Sequence, residues 1–340
     1  MRKVITFGEI LMRLSTENKL RFSQTNTFNL SFGGSEFNVA VSLANFGIET
    51  EMVTILSNND LGKSALKELK KHSIETKHIT FSDDRLGIYF LEEGSSLRSS
   101  NVIYDRSNSA MTNIKTNEIN WEEIFKNVSI FHWSGITPAL SKSTADVCLE
   151  ALQFAQKAGV KISCDLNYRA KLWKYGREPF EIMPKLLSYC HVILGDIDTA
   201  LFMLGQEKIN PNYQEIDGLN KQYDTIFKLC PTLEYMSTTL RYSINHDYQQ
   251  IGGVLYDGNQ VYVTPLKDVT PVLDRIGTGD AFMAGLLFGL LNESFIKQQI
   301  IDFATISCIL KHTIKGDTNW ISLEEVQNAL NGNLSGKVNR

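Results

Sequence analysis

Apolar runs of strand length recur along this chain, and segments of helical period separate them. Residues 4–7, 52–56, 128–133, 161–166, 191–194 and 234–239 read as buried strands, with a two-strand unit around 254–263. Between them, Phe37, Val41, Leu43 and Ala44 share a helical stripe that Gly47 closes as a C-cap. Residues 63–72 and 144–157 repeat the helical period, and a long apolar helix starts at Gly279. A strand that must return parallel to its neighbour needs a crossover, and a helix is the usual one. The alternation therefore predicts an α/β fold. Its core is a doubly wound, mostly parallel sheet flanked by helices, with ligands at the C-terminal ends of the strands.

Two stretches break that rhythm. Residues 10–32 are polar and extended, and residues 85–104 hold two β-rich runs, 87–92 and 101–104, with no helix between them. Strands adjacent without a crossover pair antiparallel, which predicts a small sheet outside the main one. Placed over the C-terminal edge of the main sheet, it would be a lid formed by about 11–32 and 85–110. The expected organisation is a single domain over residues 1–340 carrying that lid. The lid's strand edges need cover, which predicts a homodimer through it.

Charge and cysteine usage exclude several classes of partner. Lys and Arg number 34 against 38 Asp and Glu, for a net charge of −4, where a nucleic-acid binder shows a basic excess. Hydrophobic residues at 43% exclude disorder. The five cysteines, Cys148, Cys164, Cys190, Cys230 and Cys308, form no CxxC pair, and the six histidines lack metal-ligand spacing. The metal ligands, if any, stay unknown from sequence. The N-terminus reaches Glu9 too soon for a signal-peptide core, and the apolar run 281–291 is too short to span a membrane. The expected compartment is the cytoplasm.

Three local motifs point to chemistry. The sharpest is Asp274-Arg275-Ile276-Gly277-Thr278-Gly279-Asp280, running straight into an apolar helix. Gly277 and Gly279 allow a tight turn and close approach to a ligand, and the amides opening the helix attract anions. A carboxylate at Asp280 inside an anion site suits a general base that takes a proton from a hydroxyl attacking a phosphate. The plainer alternative is an Asp capping a buried helix. The second motif is Asp165-Leu166-Asn167-Tyr168-Arg169, where period 2 puts Asp165, Asn167 and Arg169 on one side if extension persists. A polar loop with an Asx turn is its alternative. The third, Phe32-Gly33-Gly34-Ser35-Glu36-Phe37-Asn38, opens a helix with glycines that let a substrate approach and with Asn38 placed to bond hydroxyls. A Ser35-capped loop explains it equally well. Gly62-Lys63-Ser64 is no P-loop because Ser57 stands where the first glycine belongs, and Phe282 spoils a dinucleotide fingerprint at Gly277.

Together these motifs resemble the ribokinase-like (PfkB) carbohydrate kinases over essentially the full length, with 33–47 and 274–287 as the two signature segments. Tyr104-Asp105-Arg106, Ser109-Ala110, residues 165–173, Thr238 to Arg241 and residues 311–317 resemble most the members acting on 2-keto-3-deoxygluconate. The resemblance implies a ribokinase-like fold and ATP-dependent phosphorylation of that sugar's terminal 6-hydroxyl. It implies Asp280 as base, with Gly277, Thr278 and Gly279 stabilising the transferring phosphoryl group. Gly34, Asn38, Tyr89, Tyr104, Arg106, Arg169 and Asp317 would face the sugar; Asn167, Asp196, Thr239, Arg241, Gly277 and Gly279 would face ATP. Two arginines among tyrosines suit an acid sugar, since guanidinium matches carboxylate in bidentate fashion. Mg2+ is implied with ATP, and a monovalent cation such as K+ is allowed. One departure stands out: Asp196 and Thr199 occupy the positions of the family's N-x-x-E, with Asp198 as a stand-in carboxylate. A kinase for a fructose- or ribose-like sugar, or a non-catalytic sugar-binding protein, are the alternatives.

Overall fold

The computed structural model describes residues 2–213 and 215–332. Its main sheet has eight strands: β1 (Lys3–Phe7), β4 (Glu49–Val53), β9 (Ile130–Ser134), β10 (Lys161–Asp165), β11 (Val192–Leu194), β12 (Tyr235–Asn245), β13 (Tyr248–Tyr256) and β14 (Val261–Val269). Their order is β14-β13-β12-β11-β10-β9-β1-β4. All pairs from β4 to β12 are parallel, and β12-β13-β14 is an antiparallel meander. The small sheet comprises β2 (Leu11–Ser15), β3 (Asn29–Gly33), β7 (Ile88–Glu92) and β8 (Asn101–Asp105), ordered β3-β2-β7-β8. A two-strand pair joins β5 (Ile55–Ser57) to β6 (Thr80–Ser82).

Helices cover both faces of the main sheet, as the alternation predicts. One face packs α3 (Trp121–Ile124), α5 (Lys142–Lys157), α6 (Pro179–Leu187), α7 (Ile197–Met203) and α8 (Ile216–Leu229), with α4 (Thr137–Leu140) leading into α5. The other packs α1 (Ser35–Asn45), α9 (Thr278–Leu291), α10 (Lys297–Lys311) and α11 (Leu323–Leu330), while α2 (Asp60–Lys71) packs beside α1. The pleat decides which residue goes where: Ile5, Phe131 and Ile193 enter the first core, and their neighbours Val4, Ile130 and Val192 the second. Helix α9 is apolar around its whole circumference because strands and helices enclose it.

Some boundaries differ from the sequence reading. The run 52–56 is two strands in two sheets, split at Thr54. The unit at 254–263 begins earlier and ends later, as β13 and β14. In the small sheet β2–β3 and β7–β8 are antiparallel as expected, but the central pair β2–β7 is parallel. The chain leaves through α1, β4 and α2 between those two strands, and such an excursion serves as a crossover. The five cysteines are buried and unbridged. Among the described residues, no helix is long and apolar enough to cross a membrane.

Candidate active site

The C-terminal ends of the parallel strands open into a cleft, and the small sheet stands over it. Glu9 follows β1, Asp165 ends β10, Asp196 follows β11, and Thr239 and Arg241 lie on β12. Cross-strand register then sets the facing wall: Arg13 pairs with Tyr89 and Tyr89 with Tyr104, so the three share one face of the small sheet. A cavity of about 470 Å3 lies between these walls, lined by Gly34, Asn38, Tyr89, Tyr104, Arg106, Asn167, Arg169, Arg241, Asp317 and the turn Gly277–Asp280.

The turn is built as its glycines suggest. Gly277 caps α9 at φ 77°, in the left-handed region, and a Cβ there would sit 2.0 Å from the Asp317 carbonyl oxygen. At Gly34 a Cβ would sit 2.2 Å from the Glu9 carbonyl oxygen, so only glycine lets α1 start this close to β1. Asp280 lies on the first turn of α9 and is buried. Its Oδ1 accepts from Ser35 Oγ at 3.0 Å, and its Oδ2 from Asn38 Nδ2 at 2.7 Å. Asn167 Nδ2 donates to the same Ser35 Oγ at 2.9 Å, which locks the hydroxyl's donor role toward Asp280. Burial lifts the Asp280 pKa to about 6 against those two hydrogen bonds. Burial also lifts Glu36 and Asp165 to about 7, with the charge of Asp280 adding to both. Three carboxylates of elevated pKa thus surround one point.

A second cleft of about 400 Å3 adjoins the first, sharing Asp165, Asn167, Arg169, Arg241 and Gly279 with it. Of the residues expected at ATP, Asp196 and Thr239 line only this second cleft, as does Thr199, whereas Asn167, Arg241 and Gly279 border both clefts. Gly277 lines only the first. Asn167 reaches both because the strand ends at Asp165 and Asn167 turns left-handed at φ 36°. Extension therefore does not persist through 165–169, yet Asp165, Asn167 and Arg169 converge on the cavity through the turn instead. Asp196 caps α7, accepting from Thr199 N at 2.8 Å and Thr199 Oγ1 at 2.6 Å. Asp198 accepts the amides of Ile209 and Asn210 and lines neither cleft, so it does not replace the missing glutamate. Among the described residues, no group of three or more His, Cys, Asp or Glu is placed to hold a metal ion.

The arginines divide into two kinds. Arg106 is buried, its Nε donating to Glu9 Oε2 at 2.7 Å, and Glu9 also accepts from Ser109 Oγ. Arg13, which no sequence signal singled out, is buried between Asp317 at 2.7 Å and Asp274 at 3.0 Å. Asp317 in turn accepts from Tyr89 Oη at 2.6 Å. Arg169, Arg241 and Arg275 line the cavity and make no ion pair among the described residues. Arg241 Nη2 donates to Thr278 Oγ1 at 2.7 Å, which ties β12 to the turn. The site can therefore present to one ligand set three guanidiniums outside ion-pair distance of any described carboxylate, together with helix-end amides and a buried carboxylate.

Known proteins share this fold and much of this sequence. The pfkB family carbohydrate kinase profile matches residues 1–231. The crystal structure of 2-dehydro-3-deoxygluconokinase from Thermotoga maritima is 35% identical and superposes with a TM-score of 0.92, covering 98% of this chain and 100% of that one. The 2-dehydro-3-deoxygalactonokinase of Haloferax volcanii is 30% identical over 341 residues, 98% of each chain. The 2-dehydro-3-deoxygluconokinase of Bacillus subtilis is 30% identical, covering 87% of this chain and 85% of that protein.

Proposed function

The chain belongs to the pfkB family of carbohydrate kinases and is an ATP-dependent carbohydrate kinase; from that premise we propose that its sugar is a 2-keto-3-deoxyhexonate. Within that class the reading is 2-keto-3-deoxygluconate, phosphorylated on its 6-hydroxyl to 2-keto-3-deoxy-6-phosphogluconate. One observation carries it: Arg169, Arg241 and Arg275 stand unpaired around the buried Asp280. A neutral sugar and a triphosphate need cations on the nucleotide side alone. Arg169, exposed and among the described residues hydrogen-bonded only to the Tyr168 carbonyl oxygen at 3.1 Å, is placed to meet a substrate carboxylate in the cavity that Tyr104 also lines. Arg106 reaches the same carboxylate only while sharing its charge with Glu9.

The chemistry follows from the walls. MgATP would lie along Asn167, Asp196, Thr239 and Arg241 with its γ-phosphate toward the Gly277–Gly279 amides, and Asp165 and Asp196 are the carboxylates there that could serve its Mg2+. When bound, Mg2+ would supply charge neutralisation on the phosphates. The 6-hydroxyl sits at Asp280, which accepts its proton as the new O–P bond forms and ADP leaves. A carboxylate with a pKa of about 6 is a stronger base than an exposed one and is still ionised at neutral pH. The small sheet acts as a lid whose Tyr89, Val102 and Tyr104 close on the sugar and exclude water.

A substrate screen with MgATP, following ADP release, tests the reading. Keto-deoxy acids are expected to exceed fructose and ribose in kcat/KM by about 10²-fold or more, the scale of one charged pairing. Faster turnover of a neutral sugar overturns the acid-sugar assignment. Arg169→Ala is expected to raise KM for the acid roughly tenfold while leaving KM for ATP within about twofold.

We also propose a homodimer through the lid. Leu30, Leu14, Phe90 and Ile103 stand in register across the outer face of the small sheet, and Leu30 and Ile103 are about half exposed. A second copy of that strip would cover it. Light scattering should give twice the 38.4 kDa chain mass, and a monomer at assay concentration would rule the dimer out.

A further inference from the structure

Lys311 is fully buried at the C-terminal end of α10, and no carboxylate lies within ion-pair distance of it among the described residues. Its ammonium donates instead to three backbone carbonyls: Ile276 at 3.0 Å, Ile314 at 3.1 Å and Gly316 at 2.7 Å. The first belongs to the turn that ends in Asp280, and the other two to the loop that carries Asp317. The two segments meet here, since a Cβ on Gly277 would lie 2.0 Å from the Asp317 carbonyl and 3.4 Å from Lys311 Cε. Burying an ammonium is costly, and an apolar side chain of similar volume would satisfy packing alone. Without the ammonium, three carbonyl dipoles would point into one dry space with no donor. A ring of carbonyl oxygens at such distances is also the coordination chemistry of an alkali cation.

We propose that Lys311 is a built-in cation that holds the anion-binding turn in its working shape, so that this kinase needs no added alkali cation there. Lys311 acts through Ile276 and the Gly277 amide rather than on substrate, which makes it a positioning residue. The inference rests on the turn being the phosphoryl cradle; Asp280→Asn tests that premise, and cation dependence tests Lys311 separately. Turnover of the full-length enzyme should be measured with MgATP in choline, Na+, K+ and NH4+ chlorides. Wild-type kcat is expected to stay constant within about twofold across the four. Lys311→Ala is expected to lose about 10²-fold in kcat with KM for the sugar little changed, and K+ or NH4+ should restore about tenfold of it. Lys311→Met, whose side chain fills the space, should not respond to any of the salts. Wild-type activity that requires K+ overturns the proposal whatever the variants' stability. So does Lys311→Ala with full kcat, or a folded Lys311→Ala whose loss neither cation relieves.

Discussion

Asp280→Asn is expected to lower kcat by 10²–10⁴-fold, about the contribution of a positioned general base. The amide keeps the volume and can still accept one bond from Ser35 or Asn38, but it cannot take the hydroxyl proton. KM for the sugar should change far less than kcat, because the interaction lost is made in the transition state. The wild-type acid limb gives the same conclusion from another direction. Burial sets Asp280 near 6, so kcat/KM should fall as pH drops below about 6, and the Asn variant should lose Asp280's share of that limb. Glu36 and Asp165, both near 7, interact with Asp280, so the limb belongs to the three carboxylates together. Stability runs the other way. A folded-state pKa raised from 3.8 to about 6 contributes stability that is present below about pH 4 and lost as pH rises through 6. At pH 8 the neutral variant should therefore unfold no earlier than wild type, which separates lost chemistry from lost structure. Full turnover by Asp280→Asn at saturating ATP would remove Asp280 from the mechanism.

Arg13→Leu should be the most destabilising single change outside the apolar core. The guanidinium is 1% exposed and bridges Asp317 and Asp274, with Glu93 at 3.8 Å. Removing one member of a buried ion network leaves the others uncompensated and costs about 3–5 kcal/mol. Asp274 would keep its bonds from the Ile276 and Gly316 amides, and Asp317 its bond from Tyr89, but neither would retain a bonded cation. Arg13→Lys preserves the charge and should recover part of the loss, although it cannot span two carboxylates with a fork. Urea unfolding of both variants checks this. A Leu variant within about 0.5 kcal/mol of wild type would show that the pair is replaceable, as some buried pairs are. Function should suffer as well, because Arg13 and Tyr89 dock the small sheet onto the Asp317 loop, and that docking holds Tyr89 and Tyr104 in the cavity wall.

Where the sequence could be read, the governing physics was local. The turn at Gly277 was legible because left-handed backbone and a helix start both leave their mark within a few residues. The two-sided parallel sheet was legible because burial on both faces makes strands continuously apolar and forces helical crossovers. Arg13 was not. It sits in a stretch that reads as polar and extended, and its partners lie 304 and 261 residues away. The only local hint is that Leu11 and Arg13 alternate toward one face of a strand. Glu9 was hidden similarly, since its bonds reach Arg106 and Ser109 across 97 and 100 residues. Lys311 appeared only as part of a recognisable string, with nothing to say that its ammonium turns inward.

The sequence by itself determined the doubly wound sheet, the end of it that opens into the cleft, and the glycine turn that carries a buried carboxylate into that cleft. Periodicity and backbone sterics act over a handful of residues and survive in a one-dimensional record. Only the tertiary structure decided which charges are already spent. Arg13 and Arg106 are neutralised within the protein, whereas Arg169, Arg241 and Arg275 line the cavity with no ion pair among the described residues. Coulomb energy depends on separations of a few ångströms and on burial, and both are fixed by contacts between segments hundreds of residues apart.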